Sequence, residues 1–390
     1  MKKITITALV ALGAMLGTAV ALLHPPALLP QGDQSRHRLA VGPYEVIEES
    51  FAVTDPSRKT QSNGDFTGSS SRVLEGKLWR PASTESGPAP LLVYCHGFMS
   101  HHMEGTYLTN FFASHGYVVV AVSFPLTNYF APGGPLVDDV IHQPEDVHFV
   151  IDSVLARNGK DGDSLEGRID PQRIGVLGVS LGGLTTQLVS FHGRLRDPRI
   201  QGAVSIAGPS SMMNQKFFSA VDVPFMMIAG EADAIVPFPL NGEPIPKKDP
   251  DSVLIGLKGA SHTAFAGIAA YIFRWLHNPD TVACANIEKT LKAKSNPADY
   301  LGALVSEKFG ITPAKRVRLC TDIDQIPRTM RPGLQHSLTT VATFSFFESL
   351  FSQDASKRRS ARRFLVRDFG AENPEVTVTA GNYGITVPAP

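Results

Sequence analysis

Short apolar runs alternate with segments of helical periodicity through the middle of the chain. Six of these runs are apolar almost throughout, which is typical of strands buried on both faces of a parallel sheet. They lie at residues 90–97, 117–124, 173–180, 200–208, 224–230 and 252–259. Between the runs, apolar residues recur at helical spacing over 104–115, 146–158 and 181–192. Alternation of this kind predicts βαβ units in one open sheet.

Two segments before these runs alternate apolar and polar residues instead. Residues 43–54 and 72–80 therefore predict an antiparallel pair at the start of the sheet. The predicted fold class is α/β, with a mostly parallel sheet of eight strands flanked by helices. Beyond the sheet, residues 336–351 again carry apolar side chains at helical spacing, and alternating Val and Thr around Gly381 and Asn382 predict a small hairpin.

The first 30 residues have the composition of an export signal. Lys2 and Lys3 precede an uncharged, mostly apolar stretch from Ile4 to Leu23, and residues 19–21 offer a small-x-small cleavage site. The stretch also has about the 20 residues needed to cross a bilayer, so an uncleaved anchor stays open as the alternative. We expect an exported protein, periplasmic or secreted, either free or anchored to the membrane by this segment.

Composition and charge narrow the possible partners. The 390 residues are 43% hydrophobic and 18% charged, which is typical of a globular protein with a large core. Lys plus Arg and Asp plus Glu each number 36, so the net charge is zero. A chain without net charge has no overall electrostatic attraction for nucleic acid, so nucleic acid is not expected as a partner.

The three cysteines predict one disulfide and one buried thiol. Cys95 lies inside an apolar run, whereas Cys284 and Cys320 flank a polar, helix-rich segment, so we expect these two to pair. Three unpaired thiols remain the alternative, because spacing does not prove connectivity.

No metal or other cofactor is expected. His101, His102 and Glu104 crowd together, but adjacent histidines point in different directions and no third ligand has a matching spacing. The basic run at 356–363 is typical of a solvated helix face, with phosphate or lipid headgroup binding as the less favoured reading.

Ser180 lies at the junction of a predicted strand and a predicted helix. It occupies the centre of Gly178-Val179-Ser180-Leu181-Gly182, a G-x-S-x-G sequence typical of a nucleophile elbow. The two glycines lack bulk where the strand and the helix approach each other, and the turn raises the hydroxyl above the helix N-terminus. The pentapeptide alone is weak evidence, but its place in a strand-turn-helix context is the one that the motif requires.

A serine nucleophile needs a base, itself oriented by an acid, and both are predicted at the ends of later strands. Asp233 follows the run at 224–230, and His262 follows the run at 252–259. This order, serine then acid then histidine, is that of the nucleophile-elbow fold. The competing residues are less well placed: Glu231 starts nearer its strand, Asp222 precedes that strand, and His192 and His277 lie away from strand ends.

Two backbone N–H groups are predicted to stabilise the oxyanion. Leu181 supplies one as the residue after the nucleophile, and Phe98, in the "CHGFMS" loop, supplies the other, with Met99 as a substitute. His96 is expected to support this loop without transferring protons. Met99, Tyr129 and Phe130 are the predicted substrate-binding residues. A plain surface loop at 125–145 is the alternative.

Four segments together resemble a known superfamily. "YCHGF", "GVSLGG", "GEADAIVP" and "LKGASHTAF" look like the α/β-hydrolases, in particular the dienelactone-hydrolase and platelet-activating-factor-acetylhydrolase-like group, with some likeness to bacterial cutinase-type polyester hydrolases. The resemblance covers roughly residues 43–278. It implies a serine esterase that forms an acyl-enzyme and uses Phe98 and Leu181 as oxyanion donors. Dienelactone hydrolases carry a cysteine nucleophile, so lactone opening is not implied for Ser180.

The resulting prediction has three segments and one activity. Residues 1–30 are the signal or anchor, 42–280 the catalytic α/β-hydrolase domain, and 281–390 a helical extension packed on that domain. The expected substrate is a small-molecule or lipid carboxylic ester. An exported serine peptidase or amidase is the alternative activity, and a non-catalytic binding module is the alternative class.

Overall fold

A nine-stranded sheet organises the described part of the chain. The computed structural model describes residues 28–83, 87–291, 300–313, 319–320 and 328–384. The strands are β1 (Val46–Asp55), β2 (Arg72–Pro81), β3 (Ala89–Cys95), β4 (Val118–Ser123), β5 (Ile169–Val179), β6 (Ile200–Ile206), β7 (Phe225–Gly230), β8 (Val253–Leu257) and β9 (Val376–Ala380). Their spatial order is β1-β2-β4-β3-β5-β6-β7-β8-β9. The predicted α/β fold class is confirmed.

Helices connect and cover the strands. The longer ones are α1 (Asp33–Arg38), α2 (Thr106–Ser114), α3 (Gln143–Asn158), α4 (Leu181–Phe191), α5 (Asp280–Leu291), α6 (Pro332–Phe351) and α7 (Ala355–Arg363). Helices of four residues lie at Gln215–Phe218, Phe238–Asn241, Ile245–Lys248, Ala269–Ile272 and Phe369–Glu372. No helix within the described ranges is both long and apolar enough to span a membrane. The predicted signal or anchor, at 1–30, lies almost entirely outside those ranges.

The order of the strands places the functional loops on one edge. Strands β4, β3, β5, β6, β7 and β8 run parallel to one another, while β1, β2 and β9 are antiparallel to their neighbours. The carboxyl ends of β3, β5, β7 and β8 therefore meet at the same edge of the sheet, where ligands bind in open α/β sheets.

Both faces of the sheet are buried. Consecutive residues of a strand face opposite sides, so Val93 packs on one face with α3 and α4, and Leu92 packs on the other with α2 and α6. Such double burial accounts for strands that are apolar throughout.

The C-terminal segment completes the sheet and its second face. Helix α6 is buried along most of its length, and the strand β9 pairs antiparallel with β8, from Val376 opposite Leu257 to Ala380 opposite Val253. The sheet therefore has nine strands where eight were predicted, because the first arm of the expected hairpin joins the main sheet. Its second arm, after residue 384, lies outside the described residues.

The three cysteines form one disulfide and one free thiol, as predicted. Cys284, on α5, and Cys320 form a disulfide, and Cys95, at the end of β3, is a buried free thiol. Burial raises the pKa of the Cys95 thiol, so it stays protonated and behaves as a small apolar core residue.

Candidate active site

Ser180 occupies a strained turn between β5 and α4. Its backbone has φ 55° and ψ −119°, a conformation that L-residues rarely adopt. The turn is possible because its flanking glycines leave room. A Cβ on Gly182 would lie 2.0 Å from the carbonyl oxygen of Cys95, and one on Gly178 would lie 2.4 Å from the carbonyl oxygen of Gly182. The two glycines thus let α4 start directly against β3 and β5.

The side chains of Ser180, His262 and Asp233 form a continuous hydrogen-bonded chain. His262 Nε2 lies 2.8 Å from Ser180 Oγ, and His262 Nδ1 lies 2.7 Å from Asp233 Oδ2. The other oxygen of Asp233 accepts the N–H groups of Ile235 and Val236, at 2.9 and 2.6 Å. The structure brings these three predicted residues together from the ends of β5, β7 and β8.

The surroundings of His262 decide when it can accept a proton. Its burial disfavours the charged imidazolium, whereas the charge and the hydrogen bond of Asp233 and the charges of Asp280 and Glu104 favour it. Together these carboxylates outweigh burial, so the pKa of His262 is raised above 6.5. With Asp233 accepting from Nδ1, Nε2 of the neutral ring faces the hydroxyl as an acceptor.

Two backbone N–H groups beside Ser180 are free to bind an oxyanion. In the loop after β3, Gly97 N–H donates to Glu104 and Met99 N–H donates to the carbonyl of Thr127, both at 2.9 Å. Among the described residues, the N–H of Phe98 between them meets no acceptor, and neither does that of Leu181, the first residue of α4. Met99, the substitute donor in the prediction, has its N–H occupied.

His96 holds the loop after β3 in place through both ring nitrogens. Its Nε2 accepts the N–H of Phe124 at 2.9 Å, and its Nδ1 lies 2.7 Å from the carbonyl of Gly97. Burial lowers the pKa of His96 to about 4, so the ring is neutral at physiological pH and donates from Nδ1. This arrangement joins the end of β3 to the end of β4.

Glu104 has a role that sequence reasoning missed. It drew attention only as a candidate metal ligand beside His101 and His102, yet its buried carboxylate accepts hydrogen bonds from Gly97 N–H and from the Tyr94 hydroxyl, at 2.9 and 2.8 Å. Burial raises the pKa of Glu104, against the effect of these donors. No cluster suited to a metal ion occurs within the described ranges.

A large apolar cavity is lined in part by the loop after β3, which carries Phe98 and Met99. It has a volume of about 1330 Å³, and its wall includes Met99, Glu104, Tyr129 and Phe130. Tyr129 and Phe130 are 60% and 74% exposed, and the N–H of Tyr129 donates to the carbonyl of Ser100. The three predicted substrate-binding residues therefore line one cavity, and the first part of α6 also lines it.

The competing candidates for acid and base lie away from the serine. Glu231 accepts a hydrogen bond from Thr377 on β9, and His192 accepts the N–H of Leu195 after α4, each at 3.3 Å. Within the described residues, neither side chain is hydrogen-bonded to Ser180, His262 or Asp233.

Comparison with known proteins identifies the family. Residues 52–278, more than half of the chain, match the PET hydrolase-like family. A bis(hydroxyethyl) terephthalate hydrolase of Streptomyces coelicolor is 26% identical over 239 residues, an alignment that covers 60% of this chain and 68% of that protein. The resemblance to α/β-hydrolases is confirmed, and the chain belongs to the PET hydrolase-like family of carboxylic ester hydrolases.

Proposed function

We propose that this protein hydrolyses carboxylic esters through an acyl-enzyme on Ser180. His262 takes the hydroxyl proton as Ser180 attacks the ester carbonyl, and Asp233 stabilises the imidazolium that forms. The oxyanion is bound by the N–H groups of Phe98 and Leu181. His262 then protonates the leaving alcohol, and a water molecule activated by the same imidazole releases the acid.

One observation carries this proposal, namely the unbroken chain from Asp233 through His262 to Ser180 with both distances below 3 Å. The strained backbone of Ser180 supports it, because such strain persists where function requires an exposed nucleophile. The two unpaired N–H groups support it as well. Each donor of this type is worth about 3 kcal/mol of transition-state stabilisation.

The direct test compares Ser180→Ala with Ser190→Ala. Ser190 is a buried serine on α4, and its hydroxyl has no hydrogen-bond partner in the described part of the chain, so it serves as the control. We expect Ser180→Ala to abolish hydrolysis of p-nitrophenyl acetate and labelling by a fluorophosphonate, and Ser190→Ala to retain both. A wild-type protein that is not labelled would identify a binding module, and faster cleavage of p-nitroanilides than of esters would identify an amidase.

We further propose that this cavity, which shares Met99 and Glu104 with the loop after β3, binds the apolar part of the ester. Apolar side chains form most of its wall, and ligand pockets of this kind hold apolar groups with a few polar contacts. Bis(hydroxyethyl) terephthalate, the substrate in the relative's name, is an aromatic diester of this class and is the first compound to test. Small-molecule and lipid esters with a longer apolar chain are the second class.

Filling the cavity tests its role. Ala270 is buried in the wall, and Ala270→Phe would occupy part of the space. We expect kcat/KM for a long-chain p-nitrophenyl ester to fall by about tenfold or more, with the acetyl ester unchanged. Val73→Phe, on a half-exposed position of β2, is the control. Equal effects of Ala270→Phe on both esters would contradict the assignment.

We infer that the enzyme acts outside the cytoplasm. The disulfide Cys284–Cys320 supports this, since such bonds persist in oxidising compartments, and so does the signal-like sequence of residues 1–30. Mass spectrometry of the protein recovered from its host distinguishes cleavage after residue 21 from an intact N-terminal anchor.

A further inference from the structure

The backbone around His262 is held by two side chains that lie beyond residue 278, where the family match ends. Asp280 is the first residue of α5, and Gln335 lies in the first turn of α6. Both side chains are fully buried. Within the described residues, neither side chain is hydrogen-bonded to the side chains of Ser180 or Asp233; each binds backbone groups of the loops that carry Asp233 and His262.

Asp280 connects the loop of the acid to the loop of the base. Its Oδ2 accepts the N–H of Ala234, the residue after Asp233, and the N–H of His262 itself, both at 3.0 Å. Its Oδ1 accepts the N–H of Thr263 at 2.7 Å. One carboxylate thus satisfies three backbone donors from two loops that are separated by about thirty residues. A carboxylate is suited to this because its two oxygens accept several hydrogen bonds and donate none.

Gln335 holds the other side of the same loop. Its Nε2 donates to the carbonyl of Ser261 at 2.8 Å, and its Oε1 accepts the N–H of Ser261 at 3.2 Å. The amide therefore pairs with both polar groups of the residue before His262, as a neighbouring strand would. Next to it, His336 Nε2 lies 3.2 Å from the carbonyl of Ala266, which holds the end of the turn that follows His262.

The disulfide Cys284–Cys320 lies next to Asp280 and provides a further contact with the loop of Asp233. Cys284 lies one helical turn after Asp280, and its partner Cys320 donates its N–H to the carbonyl of Ala234 at 2.8 Å. The residue that follows Asp233 is thereby held from both sides, by Asp280 at its N–H and by Cys320 at its carbonyl.

We propose that Asp280 and Gln335 are positioning residues that clamp the peptide of His262 and so keep its imidazole between Asp233 and Ser180. The proposal rests on the proposed function of the triad. Its physical reason is that a catalytic base must stay within hydrogen-bond reach of its nucleophile, and a displacement of about 1 Å costs on the order of 100-fold in rate.

The charge of Asp280 separates this role from a general contribution to folding. Among the described residues, the charged groups with the largest effect on His262 are Asp233, Asp280 and Glu104, and each carboxylate favours the imidazolium. Replacing Asp280 by a neutral residue therefore lowers the pKa of His262, while replacing the neutral Gln335 leaves the charge around His262 unchanged. A residue that acts only on stability would move neither kcat nor the acidic limb of the pH profile in the folded protein.

The experiment uses the full-length enzyme with p-nitrophenyl acetate. We expect Asp280→Asn to lower kcat by about tenfold or more at nearly constant KM, because one oxygen that accepts backbone N–H groups becomes a donor. We also expect its acidic limb to move to lower pH. Gln335→Leu should lower kcat without moving the limb. Asp197→Asn is the control, since Asp197 is also buried and accepts a backbone N–H, that of Arg199, away from the site.

Asp280→Glu keeps the test informative if Asp280→Asn does not fold. It retains the charge but changes the reach of the carboxylate, so we expect a lower kcat with the limb unmoved. The proposal is overturned if folded Asp280→Asn and Gln335→Leu both keep the wild-type kcat, or if Asp280→Asn changes kcat no more than Asp197→Asn does. Failure of the triad itself is recognised separately, by a wild-type enzyme that a fluorophosphonate does not label.

Discussion

The imidazole of His262 lies among three carboxylates that act on it differently. Asp233 accepts a hydrogen bond from the ring, Asp280 accepts one from the backbone N–H, and Glu104 acts through its charge alone. All three favour the protonated ring, against the effect of burial. In the proposed mechanism the general base must be neutral when Ser180 attacks, so this environment is expected to limit activity at low pH.

The pH dependence of kcat/KM tests this balance. The pKa of His262 is raised, so its neutral form is lost as pH falls through a value above 6.5, and we expect the acidic limb of kcat/KM to lie on that side. In Asp233→Asn the limb should move to lower pH, and turnover should fall by about four orders of magnitude, because the ring loses its oriented tautomer. A wild-type limb centred near the pKa of an ordinary carboxyl group would contradict the assignment of His262 as base.

The residues of the proposed triad have signals in the sequence, whereas the residues proposed to position them have none. Ser180 has a motif, and Asp233 and His262 each follow an apolar strand in the required order. Asp280 and Gln335 have no such signal, because they bind backbone groups that are identical in every residue. Only the packing of α5 and α6 against the loops reveals them.

A buried ion cluster joins the second strand to the helix before the nucleophile strand. Arg72, on β2, donates to Asp139 at 2.6 Å and to Asp146, on α3, at 2.6 Å, and all three side chains are at most 1% exposed. Arg58 also donates to Asp146, at 2.8 Å. The cluster anchors the end of the loop that carries Tyr129 and Phe130. Its members are paired and multiply hydrogen-bonded, which is the condition for burying charge.

Breaking this cluster should cost much more stability than breaking a surface pair. Arg72→Met removes the shared cation and leaves two buried carboxylates short of a partner, so we expect the free energy of unfolding to fall by about 3–5 kcal/mol. The control is Lys77→Met, which removes an ion pair with Glu48 on the partly exposed β1–β2 surface and should cost less than about 1 kcal/mol. Chemical denaturation measures both, and equal losses would argue against a structural role for the cluster.

Strands and helices could be predicted where the apolar residues formed either a short continuous run, as in a buried strand, or a helical spacing. The run at 200–208 became β6 at Ile200–Ile206, and the helix expected at 181–192 became α4 at Leu181–Phe191. The partner of a strand is harder to predict than its existence. Alternating Val and Thr fits any half-buried edge strand, so the pattern at 376–380 did not reveal that β8, more than a hundred residues earlier, is its neighbour.

At the scale of the whole molecule, the chain before residue 280 leaves one face of its sheet incomplete. On that face α6 contributes Leu338, Val341, Phe346 and Phe347, all fully buried and in one cluster with Leu92. Further along, Phe364, Leu365 and Phe369 join the same cluster. The predicted boundary between catalytic domain and extension, at residue 280, follows the extent of the family resemblance. The hydrophobic core, however, contains residues from both segments.

Ending the chain at residue 280 should therefore prevent folding as well as catalysis. Each fully buried large apolar side chain contributes about 1.5–3 kcal/mol, and removing α6 exposes the strand residues beneath it. Domains are stable by only about 5–15 kcal/mol, so this loss exceeds the reserve. We expect chain 1–280 to be insoluble or to lack a cooperative thermal transition, whereas a chain shortened by residues 385–390 keeps every contact described above and should unfold like the full protein. A soluble, cooperatively folded and esterase-active 1–280 would show that the extension is dispensable, and it would also overturn the clamp by Gln335.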